Sequence, residues 1–538
     1  MKWTDRLLAR AGVVRRSVAK EAVRTAAQRG VALGAKRTQR VYAGAQVTRL
    51  TADSYGSIMS ADQEQRGALK RLRGEARRLE RDNSYASRFL DILAENVVGH
   101  EGIQLQARKI SSRGKLDQGL NKQLAAAWMR WGLPENCSLD QRLSWVDVQQ
   151  LVIRHIARDG EVLLRMVEGA DNEFSFAVQV LDVDLLDDEF SADTVPGRRG
   201  HSVHQGIEED ASGRVTHYHL WTQHPSEYGS GLKRREPVPA REILHLYVQR
   251  RVGQRRGPSW FAPIIVDLSH YDATVEAEVV ATRIAASKFY TIERDPEFHT
   301  VPPKDEDSIL DDVEPGQGLD LDPGLKLNAI DWNHPNTGLA DFSRVILHST
   351  AAGWSVSYAT LTGDLRQVNY SSIRTGSITE RDTWRRIQGW LAMHLHRRVF
   401  DRWVKFAALN GHVPAREVSG WLDVDWKGRG WKWVDPVKDG DAAAAAVHNG
   451  FNTRSNILAE QGLDFEDVID RLAEEAEYAR QAGVQLPTVP AKATGTQPQD
   501  NDDDSGTGDG GRGDDRAGAS ALSHDPRRAA GIRLARGL

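Results

Sequence analysis

Apolar residues recur along this chain at two spacings, and the switches between them mark out its parts. Over residues 66–108, 120–131 and 145–158 they return every three or four positions, the period of an amphipathic helix. Gly99 and Gly102 break the first of these stretches into a turn. From Gly160 the pattern shortens to alternating runs, EVLLRMV, FAVQVLDVDLL, RVTHYHLWT and EILHLYV, bounded by Asp-Asn, Gly-Arg and Pro signals. Alternation at a period of two predicts half-buried strands. After Pro258 and Pro263 the helical period returns over 264–293, a run rich in Ala, Val and Glu that would reach ~45 Å at 1.5 Å per residue. Pro296, Pro302 and Pro303 end it, residues 305–336 are acidic and rich in Gly and Pro, and a third helix is expected over 338–354.

The longest helical pattern follows a polar loop. Ser371 and Ser372 are suited to cap it, because a hydroxyl can accept a bond from the orphan N–H groups of a first turn. Trp384, Ile387, Leu391, Leu395, Val399, Trp403 and Phe406 then form one apolar stripe, with no proline between 372 and 409. A helix over that range would extend ~57 Å, with Gly376 and Gly389 as its expected bends. Such a length outstrips the core of a small domain and points to an element that spans an assembly. The fold class expected is α+β, with the strands gathered in the first half.

Composition adds boundaries. The 538 residues hold no apolar run long enough to cross a bilayer, so no membrane partner is expected. A single cysteine, Cys137, excludes an internal disulfide and fits a reducing compartment. The net charge of −4 says less than its distribution. Residues 1–40 carry eleven Lys/Arg against two Asp/Glu, which reads as a solvated basic arm or as a contact with DNA or an assembly protein. Residues 487–538 are rich in Gly, Asp, Pro, Ser and Thr; they hold too little apolar surface to offset the entropy of ordering and read as a disordered tail.

The chemistry is mostly negative. No G-x-x-x-x-G-K-[ST] cradle for a nucleoside triphosphate occurs, no G-x-S-x-G elbow and no C-x-x-C. His217 and His219 would face the same side of a strand, with His201, His204 and His224 nearby, but four tetrahedral ligands are not evident, and a solvated strand face is expected. Asp182, Asp184, Asp187 and Asp188 read as turn carboxylates. Asp423, Asp425 and Lys427 superficially match the end of a Mg²⁺-dependent nuclease site, without a partner carboxylate in matching context. No catalytic centre, cofactor or metal is expected.

Several segments, taken in order, resemble one family. Asp364, then Asn369-Tyr370-Ser371-Ser372 and Arg374 ahead of the long helix, resemble the lambda family of tailed-phage portal proteins. So do ERDNSYASRFLDILAENVVGHEGIQLQ (80–106), SWVDVQQLVIRHIARDGEVLLRM (144–166) and the helical stretch 433–475. The resemblance implies a portal fold: a basic arm (1–65), a wing (66–259), stem helices (260–293 and 338–359) with a clip between them (294–337), and a tunnel loop (360–371). The long helix with its return to the wing (372–433), a crown (434–486) and the tail would follow. It further implies a homododecameric ring at a capsid vertex of the virion, assembled in the host cytoplasm. Double-stranded DNA would pass through it. Its partners would be the terminase large subunit, the capsid or scaffold protein, and a head-completion or tail adaptor protein. Asp364, Arg366, Gln367, Asn369 and Tyr370 would face the DNA, and large apolar side chains among the 15 tryptophans would be buried between subunits. A contiguous basic stripe would brake such passage; Asp267, Asp272, Glu276 and Glu278 instead put acid on the first stem helix. Two rivals stay open, a Mg²⁺-dependent nuclease and a non-ring DNA-binding protein that works through the basic arm.

Overall fold

The computed structural model describes residues 58–110, 116–227, 233–286, 290–294, 325–329, 338–366, 370–415 and 424–484. The expected tail and nearly all of the basic arm and clip lie outside these residues. The chain divides into two compact units, Met1–Val468 and Ile469–Leu538. The described part of the second is 469–484, helical as far as Gln481. Among the described residues no helix is long and apolar enough to cross a membrane.

A short α1 (Ala61–Gln65) precedes the first expected helical stretch, which is two helices, α2 (Leu69–Asp82) and α3 (Ser84–Val97). The single helix expected from 66 is divided at Asn83, whose backbone is extended and whose Oδ1 accepts bonds from the N–H groups of Tyr85 and Ala86, both at 3.0 Å. A side chain that can satisfy two orphan donors at once makes a better start than a middle. After β1 (Gln104–Ala107) come α4 (Gln118–Trp131), α5 (Pro134–Cys137) and α6 (Trp145–Arg158). A reciprocal capping box opens α6, with Asp147 N–H on Ser144 Oγ (3.2 Å) and Ser144 N–H on Asp147 Oδ2 (2.9 Å).

The helix-to-strand switch falls at Gly160, as the sequence predicts. Its φ of +92° is left-handed, and a Cβ there would sit 2.2 Å from the Gly257 carbonyl oxygen, so only glycine fits. Next, β2 (Glu161–Glu168) is the centre of a three-stranded antiparallel sheet, flanked by β3 (Phe176–Leu181) and, later in the chain, by a strand over Ile243–Tyr247. Between them β4 (Ser202–His204), β5 (Ile207–Glu209), β6 (Val215–Trp221) and β7 (Arg235–Pro239) form a four-stranded antiparallel sheet in chain order, which makes Ile243–Tyr247 β8. The two-residue period of β2 serves two cores at once. Val162, Leu164 and Met166 join the main core, while Leu163 joins a smaller one with Leu186, Ile207, Tyr218, Leu220 and Ile243. Glu161, wholly buried, is bonded by Arg256 (2.6 and 2.9 Å), His245 (2.8 Å) and the Gly257 N–H (3.0 Å), so the charge is fully partnered.

The helix expected over 264–293 is shorter. α7 runs Ile265–Ala286 and gives way to β9 (Tyr290–Arg294), which pairs antiparallel with β10 (Leu325–Ala329). The aromatic and β-branched run FYTI prefers a pleated ladder to a further helical turn. α8 (Leu339–Gly353) packs on α7, and a short α9 (Tyr358–Thr362) follows.

The long helix is continuous from 370 to 409, on the order of 60 Å, as α10 (Tyr370–Leu391), a π-helical turn (Ala392–His396) and α11 (Arg397–Leu409). Neither Gly376 nor Gly389 interrupts it; the irregularity is the π turn. It starts at Tyr370, so Ser371 and Ser372 lie within the first turn and do not cap it. The predicted stripe is the buried one: Trp384, Ile387, Leu391, Leu395, Val399 and Trp403 are in the core, with Phe406 packed at its edge. Around Trp403 and Phe400 the core is aromatic, with Trp128, Trp131, Trp145, Phe176 and Trp426 at centroid spacings of 4.7 to 6.2 Å. β11 (Val424–Lys427) pairs back with β1, and α12 (Pro436–His448), α13 (Arg454–Glu460) and α14 (Phe465–Gln481) end the described chain. Every described tryptophan is buried or half-buried within the chain itself, against the expectation that some would be exposed. The exposed apolar groups are mostly aliphatic, with Phe342 and Phe451 among them.

Candidate functional site

The polar loop between α9 and α10 is anchored from three directions. Ser357 caps α9, its Oγ accepting the Thr360 N–H at 3.1 Å. Glu380, three turns into α10, accepts from the Ser357 N–H and from Thr360 Oγ1 (3.0 Å), so the start of α9 is bonded to the flank of α10. Arg88 of α3 donates to the Thr360 carbonyl at 3.3 Å. The loop therefore leaves one rigid point. α9 ends at Gly363, in the left-handed region at φ +72°.

Asp364 and Arg366 come next, and the structure brings them together. Arg366 Nε and Nη2 donate to the two carboxylate oxygens of Asp364, both at 2.9 Å, and the Arg366 backbone N–H reaches Oδ1 at 3.1 Å. The Arg366 side-chain bond, then its backbone bond, hold the Asp364 carboxyl down to about 2. Both charged residues of the expected loop thus form a self-neutralised pair, with the Arg366 side chain and the neighbouring Leu365 exposed. Gln367 and Asn369 lie outside the described residues. Tyr370, Ser371 and Ser372 form the first turn of α10, and their side chains are likewise outside them. Arg374 does not join the loop; its Nη2 lies 2.5 Å from Asp439, the residue that caps the start of α12 together with Asp435. Sequence reasoning missed Glu380, Ser357, Thr360, Arg88 and Asp439. Only Ser357, a cap residue ahead of a short apolar run, left a local signal.

Acid on α7 forms no single face. Asp267 accepts from Ser349 Oγ of α8 at 2.9 Å and Asp272 from Asn83 Nδ2 at 2.8 Å, while Glu276 is exposed.

The other constellations are structural. His217 and His219 do share one side of β6, but that side is not simply solvated. Both approach Glu208, with His219 Nε2 at 3.2 Å, His201 Nδ1 at 2.9 Å and Arg198 Nη1 at 2.7 Å from its oxygens. With a guanidinium already among them, the residues satisfy a buried carboxylate and leave no vacancy for a cation. Asp182, Asp184 and His224 are within reach of a common ion, yet Arg77 fills that role, with Nη2 on Asp182 (2.9 Å), Nη1 on Asp184 (2.6 Å) and Nε on Asp159 (2.8 Å). Asp425 is exposed and paired with Arg108 at 3.2 Å, Lys427 lies two residues on in β11, and Asp423 is outside the described residues.

Comparison with known proteins agrees with the order of the elements. The sequence pattern of "Phage portal protein, lambda family" matches residues 48–388, from before α1 to within α10. The chain is 31% identical over 427 residues to the probable portal protein of Halomonas phage phiHAP-1, covering 77% of this chain and 82% of that one. It is 21% identical over 479 residues to portal protein B of Escherichia phage lambda, covering 78% and 86%. A solved neck of a native gene transfer agent particle, with C12 symmetry, aligns over 77% of this chain and 98% of its own at 14% identity, with a TM-score of 0.41. That last likeness is too loose to carry an argument.

Proposed function

Because the chain belongs to the lambda family of phage portal proteins, we propose that its copies close into a dodecameric ring around a DNA channel at one capsid vertex. The family is structural, not catalytic, and the nuclease reading of Asp423 and Asp425 falls with that. In the reading offered here, double-stranded DNA enters through the ring during packaging and leaves on ejection. The terminase motor docks first, then a head-completion or tail protein. α7 and α8 are the stem, residues 294–337 the clip, 360–371 the tunnel loop and 434–486 the crown.

The observation that carries the reading is the family match through residues 48–388, which takes in both stem helices and the loop. The geometry supports it in two ways. The loop is anchored through Glu380 and Arg88, so it can project without collapsing, and the Asp364–Arg366 pair presents little net charge to passing phosphates. A ring also needs heterologous faces. Val266, Val279, Val280 and Ile284 on α7, with Phe342 and Val345 on α8, are large apolar groups left exposed in one chain, as a subunit interface requires.

The test is the assembly mass of the purified full chain by native mass spectrometry, with negative-stain imaging. A closed ring with a central hole is expected. A monomer or dimer at every salt concentration would refute the channel and leave the non-ring DNA-binding reading.

A further inference from the structure

A second charged feature lies on α10 well beyond the loop, about 16 Å along the helix from its first residue to Arg381. There a cleft of about 440 Å³ opens between α10, the turn that follows α3, the loop after β11 and the loop between α13 and α14. Arg381, Lys427, Arg429 and Lys432 line it, and the only carboxylate in its lining is the exposed Glu101. Among the described residues none of these four cations makes an ion pair. The two arginines are instead oriented by carbonyls, Arg381 Nη2 on that of Lys432 at 3.3 Å and Arg429 Nη1 on that of Glu95. Burial first, then the neighbouring Arg385 and Arg429, push the Arg381 guanidinium below its ordinary value, against an opposing pull from Asp439, which is itself paired with Arg374.

The backbone of the same loop has the matching polarity. The carbonyls of Arg429 and Lys432 are occupied, by Gln388 Nε2 (3.1 Å) and Arg381 Nη2 (3.3 Å). The backbone N–H groups of 429–432 donate to no acceptor among the described residues. Successive N–H groups without an acceptor among the described residues, beside oriented cations, are suited to cradle an oxyanion. The wall is built close. A Cβ on Gly430 would lie 2.0 Å from the Gln461 carbonyl carbon and 2.1 Å from Gly462 N, so the two loops meet backbone to backbone, and only glycine allows it.

We propose that this cleft is a phosphate-binding site, with the oxyanion held by Arg381, Arg429 and Lys427 and by the N–H groups of 429–432. Guanidinium pairs suit phosphate geometry, and such a contact holds a backbone in place without reading its sequence. The site is the converse of the tunnel loop: there the charge is cancelled within the chain, here it is left for a ligand. It stands on this geometry whether or not the chain forms a ring.

The experiment uses the full chain, labelled duplex DNA and sodium tripolyphosphate. Arg381→Gln with Arg429→Gln should weaken duplex binding about tenfold or more and flatten the slope of log K against log salt by about 0.9 per lost phosphate contact. The basic arm at 1–40 is present in both proteins and cancels. A second readout, on the unaltered chain, does not depend on the variant folding: acetylation of Lys427 and Lys432 with and without each ligand. Protection by the duplex assigns the phosphate to nucleic acid. Protection by tripolyphosphate alone assigns it to a free polyphosphate. If neither ligand protects these lysines, or the variant binds both as the unaltered chain does, the site is overturned.

Discussion

His396 makes a sharp demand on the physics of this core. It sits in the π turn, fully buried, its ring 5.3 Å from that of Trp145 and 4.9 Å from that of Trp426. Neither ring nitrogen has a hydrogen-bond partner among the described residues. Burial pushes its pKa down to about 3. The folded value is thus below the unfolded one of about 6.5, so protonation favours the unfolded chain. The stabilising effect is complete above that pH and is lost as pH falls toward 3. Well inside the window each pH unit costs about 1.4 kcal/mol; the unfolded imidazole is already half protonated at pH 6.5, so between pH 6.5 and 4.5 the core should lose about 2.3 kcal/mol through this residue alone. His396→Leu removes the proton acceptor. Its offset at neutral pH mixes the relief of two orphaned nitrogens with lost ring packing, but its pH slope does not. Urea unfolding followed by tryptophan fluorescence reads the cluster directly. The variant should gain on the parent by about 2.3 kcal/mol over that interval, while acid-sensitive groups elsewhere cancel in the difference. A difference that stays flat with pH would refute the reasoning.

Three further outcomes are expected. Arg256→Met should cost about 3–5 kcal/mol in chemical denaturation, because it strands the buried Glu161 carboxylate, and adding Glu161→Gln should recover much of it. Val345→Glu with Phe342→Glu, one turn apart on the exposed side of α8, should block ring closure in native mass spectra while circular dichroism stays unchanged. Asp364→Asn frees Arg366 for phosphate and should slow a reconstituted packaging reaction, whereas Thr360→Ala, which loosens the anchor on Glu380, should broaden its rate; equal rates in all three chains would remove the loop from the mechanism.

Legibility followed locality. The stripe from Trp384 to Phe406, the alternating runs of β2, β3, β6 and β8 and the turn at Gly160 were readable because each is written in a few neighbouring residues. The π turn had a faint signal. Four successive four-residue steps from Ile387 to Trp403 drift about 40° each on a helix of 3.6 residues per turn, and a wider turn takes up that excess. Short strands such as β4, β5 and β7 gave none, since three to five residues carry too little periodicity. Asn83 and Ser371 show the same ambiguity from opposite sides: a cap residue starts a helix only where the backbone turns extended, and the neighbours decide that.

The sequence by itself determined the class of the fold, the order of its long helices and longer strands, the stripe that the longest helix buries and, through several ordered segments, the family. Those properties depend on short-range periodicity and on residue types in series. Tertiary structure alone decided which charges cancel. It set Arg77 among three carboxylates, enclosed Glu208 with histidines and Arg198, closed Asp364 onto Arg366 and left Arg381, Lys427, Arg429 and Lys432 without ion-pair partners among the described residues. Electrostatic meaning depends on distance in space and on burial, and residues as far apart as Arg77 and Asp184, 107 positions along the chain, meet only when it folds.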